Sequence, residues 1–413
     1  MIVTEPSEPT EPSEPTESSA TISPSGEPSQ KVHRDTELLM EVCAIDSIWG
    51  REKALAEDLA DKLRSWGCDD VALVEAMPNR PSVGARLRGT GGGQSLVLNG
   101  HIDIYELSED WTRDPFHPTL EAGRIYGAGI ADMKAGTAAA LAALRRVAQS
   151  GKGLRGDVVM QAVSCHFEGG VGTRALCEAG FVGDAAIDCE PSSNTIGIAH
   201  RGAAYLTITT RGKQAHTTYK HLGLNAIETM EPILAGLRSL EAELPYDVHP
   251  HLPGAPILNI GTISGGTKHN QVPDRCTISI DIRLLPSQDP HDVKRRVEAM
   301  IANLKVQVDA RIDAVVEFSE HWLSGPRHAY EIEATAPIVV ALDNAVRRAT
   351  GTEPEYQGIP FWCDITTLRE FGVPGVNFGP GDPPYNFADE YVYEAQYLQA
   401  VDVYEALIRE WCA

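Results

Sequence analysis

Apolar positions recur at helical spacing from about residue 34, at Leu38, Leu39 and Val42 and again across 54–66, which predicts helical structure at the start of the folded chain. Short apolar or β-branched runs at 95–98, 158–163 and 185–188 then predict buried strands. Between them, 135–147 reads as a packed helix ending near Gly151. Strands alternating with helices predict an α/β architecture, a sheet flanked by helices.

The middle third has a different texture. Polar and apolar residues alternate over 205–210, 257–264 and 276–284, helical spacing covers 225–243 and 292–304, and a further strand is expected at 314–318. The resulting β-α-β-β-α-β order is that of a ferredoxin-like unit. Helix–strand alternation resumes after about residue 325, with a helix over 338–348 and a strand over 376–378 before Gly379-Pro380-Gly381. The pattern therefore predicts one discontinuous α/β domain, 31–202 and 319–413, with a lid-sized domain inserted at 203–318.

Composition narrows the classes. The 413 residues suffice for two or three domains, and no run approaches the roughly 20 apolar residues needed to cross a bilayer, which excludes a membrane-spanning protein. Lys and Arg total 35 against 58 Asp and Glu, a net charge of -23 that argues against nucleic acid or anionic lipid as a partner. Residues 1–30 repeat a Glu-Pro-Ser/Thr unit that cannot bury enough apolar surface to order itself, so a disordered, extended tail is expected. Setting aside its six glutamates leaves 52 acids against 35 bases, so the acidity belongs to the folded part. Eight scattered cysteines without a Cys-x-x-Cys pair read as reduced thiols, and no secretory signal pattern opens the chain. Cytoplasm is the expected compartment.

Candidate chemistry begins at Asn99-Gly100-His101-Ile102-Asp103, directly after an apolar strand. Residues i and i+2 of a strand share a face, so Asp103 is expected to accept one ring N–H of His101 while the other nitrogen faces a metal. Alone, His-x-Asp is more often a hydrogen-bonded pair than a ligand pair. The sequence continues with Trp111-x-x-Asp114-Pro115-Phe116 and then Gly127-x-Gly129-x-x-Asp132-Met133-Lys134, where a loop feeds a helix. Asp132 is there either an N-cap or a site residue.

These blocks resemble the aminoacylase and succinyl-diaminopimelate desuccinylase family of metallopeptidases, whose pattern is a Gly-His-x-Asp strand and a Gly-x-Gly-x-x-Asp-x-Lys turn. Later blocks agree in order: Asp188-Cys189-Glu190-Pro191-Ser192, Gly212-Lys213-Gln214-Ala215-His216-Thr217, Asn270-Gln271-Val272-Pro273, Asp281-Ile282-Arg283 and Phe378-Gly379-Pro380-Gly381. The resemblance implies that His101, Asp132 and Glu190 bind one divalent ion such as Zn, Mn or Co, with open positions for water and substrate. From the inserted domain it implies that His216 polarises the substrate and that Asn270 and Arg283 bind a carboxylate or other anionic group, often across a homo-oligomer.

The family's second metal position is broken. Where members carry Asp-Glu-Glu-x-Gly-Gly-x-Gly, this chain has Cys165-His166-Phe167-Glu168-Gly169-Gly170-Val171-Gly172, and where they carry a last histidine ligand it has Asn386. A single ion is therefore expected. Either His166, by position, or Glu168, by chemical type, is the expected base, and Asn386 is left as a substrate-facing residue.

The implied reaction is hydrolysis of a C–N bond in a small carboxylated molecule. Loss of the usual glutamate resembles the 5-nitroanthranilate aminohydrolase branch and implies exchange of an aromatic amine for hydroxyl, giving 5-nitrosalicylate and ammonia. Phe167, Trp362 and Phe387 would suit a flat ring or could equally be core. An N-acyl-amino-acid amidohydrolase or dipeptidase is the alternative. A catalytically silent binding homologue is the third expectation, against which stands the retention of all three ligands with Asp103.

Overall fold

The computed structural model describes residues 30–413 apart from 152, 244–248, 253, 255–256 and 320–324. The Glu/Pro-rich segment assigned to 1–30 thus lies, except for its last residue, outside the described residues. The larger unit is built on a nine-stranded mixed sheet. At its centre Val158–Val163, Leu96–His101, Ala185–Asp188 and Gly375–Asn377 run parallel to one another. The hairpin Ala72–Met77 and Arg80–Leu87 joins antiparallel on one side, and Ile196–His200 on the other.

The central strands are buried along their whole length and mostly apolar because both faces are covered. Leu96 and Leu98 point into the larger core with the helices Ala135–Gln149, Pro337–Thr350 and Glu394–Trp411. Val97 points to the other face, where Val159, Ala186, Leu176 and Leu368 meet under the short helices Val171–Glu178 and Ile365–Glu370. Ala135–Gln149 is rich in alanine and approaches the sheet closely. A Cβ at Gly136 would stand 1.9 Å from the carbonyl oxygen of Cys189, so the start of this helix is seated on the strand end that carries Glu190.

The inserted unit is a four-stranded antiparallel sheet in the order Leu258–Gly265, Arg275–Leu284, Gly202–Arg211, Ala314–Phe318. Helices Ala226–Glu243 and Pro290–Gln307 pack on it, completing the β-α-β-β-α-β order of a ferredoxin-like domain. Strict alternation gives the strand its buried side: Cys276, Ile278, Ile280, Ile282 and Leu284 are inside. The second helix starts where Asp289 caps it, its carboxylate accepting from the His291 N–H at 2.7 Å, with Pro290 in the first turn. All eight cysteines are buried and free. No helix among the described residues is long and apolar enough to cross a membrane.

Candidate metal centre

Neighbouring parallel strands deliver their last residues to one edge of the sheet, the position at which open α/β sheets bind ligands. His101 ends Leu96–His101, Glu190 lies two residues beyond Ala185–Asp188, and His166 follows Val158–Val163. Asp132 comes from the turn that feeds Ala135–Gln149.

The donor atoms converge. His101 Nε2 lies 3.2 Å from Asp132 Oδ1 and 3.9 Å from Glu190 Oε1, and His166 Nε2 is also 3.9 Å from that Glu190 oxygen. The two imidazole rings stack with centroids 4.3 Å apart. His101, His166 and Glu190 are all buried. Burial alone would lower the His101 pKa, but the Asp132 hydrogen bond and the Glu190 charge outweigh it and carry it up to about 10. Burial raises Glu190 well above the usual carboxylate range, with Asp132, Asp188 and Asp364 adding to the rise. Several acidic groups and two imidazoles, sunk together out of water, fit a divalent cation, which would replace their protons and satisfy the charge.

One expected role is corrected by the geometry, and a second expected residue gains a partner. Asp103 was expected to hold His101 through its carboxylate; instead His101 Nδ1 donates to the Asp103 main-chain carbonyl at 2.9 Å, with the carboxylate at 3.8 Å. The contact leaves Nε2 facing Asp132. Asn386 was expected to face substrate; its amide Nδ2 donates to Asp132 Oδ2 at 2.9 Å and so orients a candidate ligand.

Glu168 is committed elsewhere. Its carboxylate accepts from Arg80 and from the indole N–H of Trp49, while Arg80 also binds Glu52, Nε to Oε2 at 3.0 Å. Arg80 Nη2 lies 3.8 Å from Asp103 Oδ2, so the cluster buttresses the segment behind His101. Phe167 stacks on Tyr105, centroids 4.0 Å apart, and turns an edge to both His101 and His166 at 5.4 Å.

Arg327, just after the inserted domain, meets this wall, and Arg283 of the inserted domain stands near it beside Tyr205. Arg327 donates to the Phe167 carbonyl at 2.8 Å and lies 4.3 Å over Trp362, whose ring is 5.4 Å from His166. Arg283 pairs with Asp281 at 2.8 Å, and Arg283 and Arg327 each stand 5.8 Å from the Tyr205 ring. His216 and Asn270 are not brought to the centre within one chain. They are exposed on the small ladder of Ala215–His216 with Gln271–Val272, where the Asn270 carbonyl accepts from Thr217 at 3.1 Å. Sequence reasoning missed Tyr105, Arg327 and Asp364; only Tyr105 had a signal, its place just after His101-x-Asp103.

Comparison with known proteins agrees with this layout. Residues 198–309 match the family model described as a peptidase dimerisation domain. Over 370 residues the chain is 30% identical to N-formyl-4-amino-5-aminomethyl-2-methylpyrimidine deformylase of Halalkalibacterium halodurans, covering 84% of this chain and 86% of that one. The chain belongs to the M20 metallopeptidase family. This M20 chain is also 28% identical to acetylornithine deacetylase of Vibrio atlanticus, over 90% of its own length and 95% of the relative's. Its fold superimposes on an M20 family metallo-carboxypeptidase from Sulfolobus solfataricus with a TM-score of 0.71 at 17% identity, covering 92% and 98% of the two chains. It is accordingly a metal-dependent hydrolase of the peptidase and amidohydrolase type. Relatives named as a deformylase and a deacetylase favour the amidohydrolase expectation over the aromatic aminohydrolase one.

Proposed function

We propose that this M20 protein hydrolyses the amide C–N bond of a small carboxylated N-acyl or N-formyl amine. Water adds across the bond, so the acyl carbon leaves as a carboxylic acid and the nitrogen as a free amine. The observation that carries this reading is the position of His101 Nε2 at the strand ends, 3.2 Å from Asp132 Oδ1 and 3.9 Å from Glu190 Oε1. One divalent ion held there would supply Lewis acidity to the carbonyl and lower the pKa of water. The Asp103 carbonyl holds His101 in the tautomer that keeps Nε2 for the ion, and Asn386 holds Asp132.

Arg283 and Arg327, both beside Tyr205, are the groups suited to a substrate carboxylate. Phe167 stacks on Tyr105 and turns its apolar edge to both histidines. The match to a dimerisation domain supports a homo-oligomer formed through the inserted unit, with exposed His216 and Asn270 offered to a partner's site. The test is amine release from a panel of N-formyl and N-acyl compounds, with and without a terminal carboxylate, by enzyme loaded with Zn, Mn or Co. Turnover that needs metal and carboxylate supports the reading; metal-independent turnover, or none on the panel, removes it.

A second reading is favoured by one observation, the aromatic wall of Tyr105, Phe167 and Trp362 around the stacked histidines. A flat carboxylated aromatic amine fits such a wall, and its hydrolysis exchanges NH2 for OH and releases ammonia. Ammonia from 5-nitroanthranilate, measured beside the amide panel, separates the two.

A further inference from the structure

The turn 165–168 follows Val158–Val163 and aims one group at the centre, the imidazole of His166. We propose that His166 is itself a ligand of the single ion, completing a set of two imidazoles and two carboxylates with His101, Asp132 and Glu190, and that Asp364 is the positioning residue for its ring. This rests on the one-ion hydrolase reading given above.

Distances favour coordination. Bonds of about 2.0–2.2 Å to a four-coordinate ion put neighbouring donor atoms about 3.3–3.6 Å apart. His101, His166 and Glu190 offer atoms within 4.8 Å of one another, Glu190 lying 3.9 Å from each imidazole, and Asp132 joins through His101 at 3.2 Å, so the His101–Asp132 and Glu190–imidazole separations bracket that value. His166 and His101 stand in the same relation to Glu190, and their rings lie within 20° of parallel, with each Nε2 directed at one oxygen.

The far side of His166 has the form of a supported ligand. Its Nδ1 is 3.4 Å from Asp364 Oδ1, and neither atom has a hydrogen-bond partner among the described residues. Both side chains are at least nine-tenths buried. Thr173 donates to the other Asp364 oxygen at 2.8 Å, and a Cβ at Gly170 would come within 2.4 Å of Oδ1, so the carboxylate sits against fixed neighbours. A carboxylate behind a metal-bound imidazole fixes its orientation and tautomer. Glu168, the other candidate of the same turn, is held by Arg80 and Trp49 and leaves the imidazole alone to face the ion.

The test counts imidazole nitrogens on the ion. Holoenzyme labelled with 15N-histidine and loaded with Mn(II) is examined by electron spin-echo envelope modulation, alongside metal analysis and Mn(II) titration. Two coupled imidazoles are expected in the wild type, and one in His166→Ala, His166→Gln or His101→Ala. Mn(II) affinity should fall at least 10-fold in the His166 variants and 10- to 100-fold in Asp364→Asn, which keeps both nitrogens. A single imidazole in the wild type overturns the proposal without reference to any variant's folding, as does a second tightly held ion. An unchanged affinity in Asp364→Asn overturns the positioning role. Amine and ammonia release are read on the same samples: two nitrogens without C–N turnover would remove the hydrolase reading and leave the coordination standing, whereas turnover with one nitrogen would do the reverse.

Discussion

Replacing Glu168 by glutamine separates two roles that differ by orders of magnitude. In the fold the Glu168 carboxylate is buried and accepts from Arg80 and Trp49, while Arg80 is shared with Glu52. Glutamine is isosteric and its carbonyl can still accept from both donors, so the change converts a charge-assisted hydrogen bond into a neutral one, a loss of about 1–2 kcal/mol. Urea unfolding followed by circular dichroism should report that loss as a lower midpoint with an unchanged slope. Turnover should fall less than about 10-fold, because the carboxylate is bound to Arg80 and Trp49. A general base replaced by an amide loses about 100- to 10,000-fold. A kcat drop of that size, in a variant with wild-type metal content and fold, would refute the assignment of Glu168 to the ion pair.

Three further outcomes follow from the geometry. Asn386→Ala frees Asp132 Oδ2 from its donor and should weaken divalent-metal affinity about 10-fold by titration, with little change in thermal stability. Gly136→Ala should lower stability by about 1–3 kcal/mol and loosen the metal, despite alanine's better helix propensity, because its Cβ collides with the Cys189 carbonyl beside Glu190; calorimetry and metal titration on the same sample check this. Burial holds the His200 pKa down to about 4, its Nδ1 on the Arg201 carbonyl and Nε2 3.0 Å from Thr366 Oγ1. Its folded state therefore binds fewer protons than the unfolded chain between about pH 6.5 and 4. Stability should be full above 6.5 and fall by up to about 3 kcal/mol as pH drops through that window, and His200→Gln should flatten that part of the unfolding profile.

The parallel strands are legible because burial on both faces leaves Gln161 as the one polar position across 158–163 and 185–187, a pattern that survives without any partner being known. His101, Asp132 and Glu190 are legible for a related reason: each stands in a short block whose neighbours form one turn, so local spacing carries the information. The contacts that decide between His166 and Glu168 do not work that way. Arg80 is 88 residues before Glu168, and Asp364 lies in the last part of the chain, well after His166. No periodicity links such positions, and only the stacking of strand ends brings them together. The choice of the Asp103 carbonyl over its carboxylate depends on how tightly the chain turns after His101, which the residue types alone leave open.

The most direct measurement is anomalous diffraction at the absorption edge of the bound metal, on crystals of the loaded enzyme. One peak is predicted, within bonding distance of His101 Nε2, Asp132 and Glu190, with none beside Phe167 or Asn386. Two peaks sharing Asp132, or a single peak away from these side chains, would contradict a one-ion hydrolase built at this sheet edge.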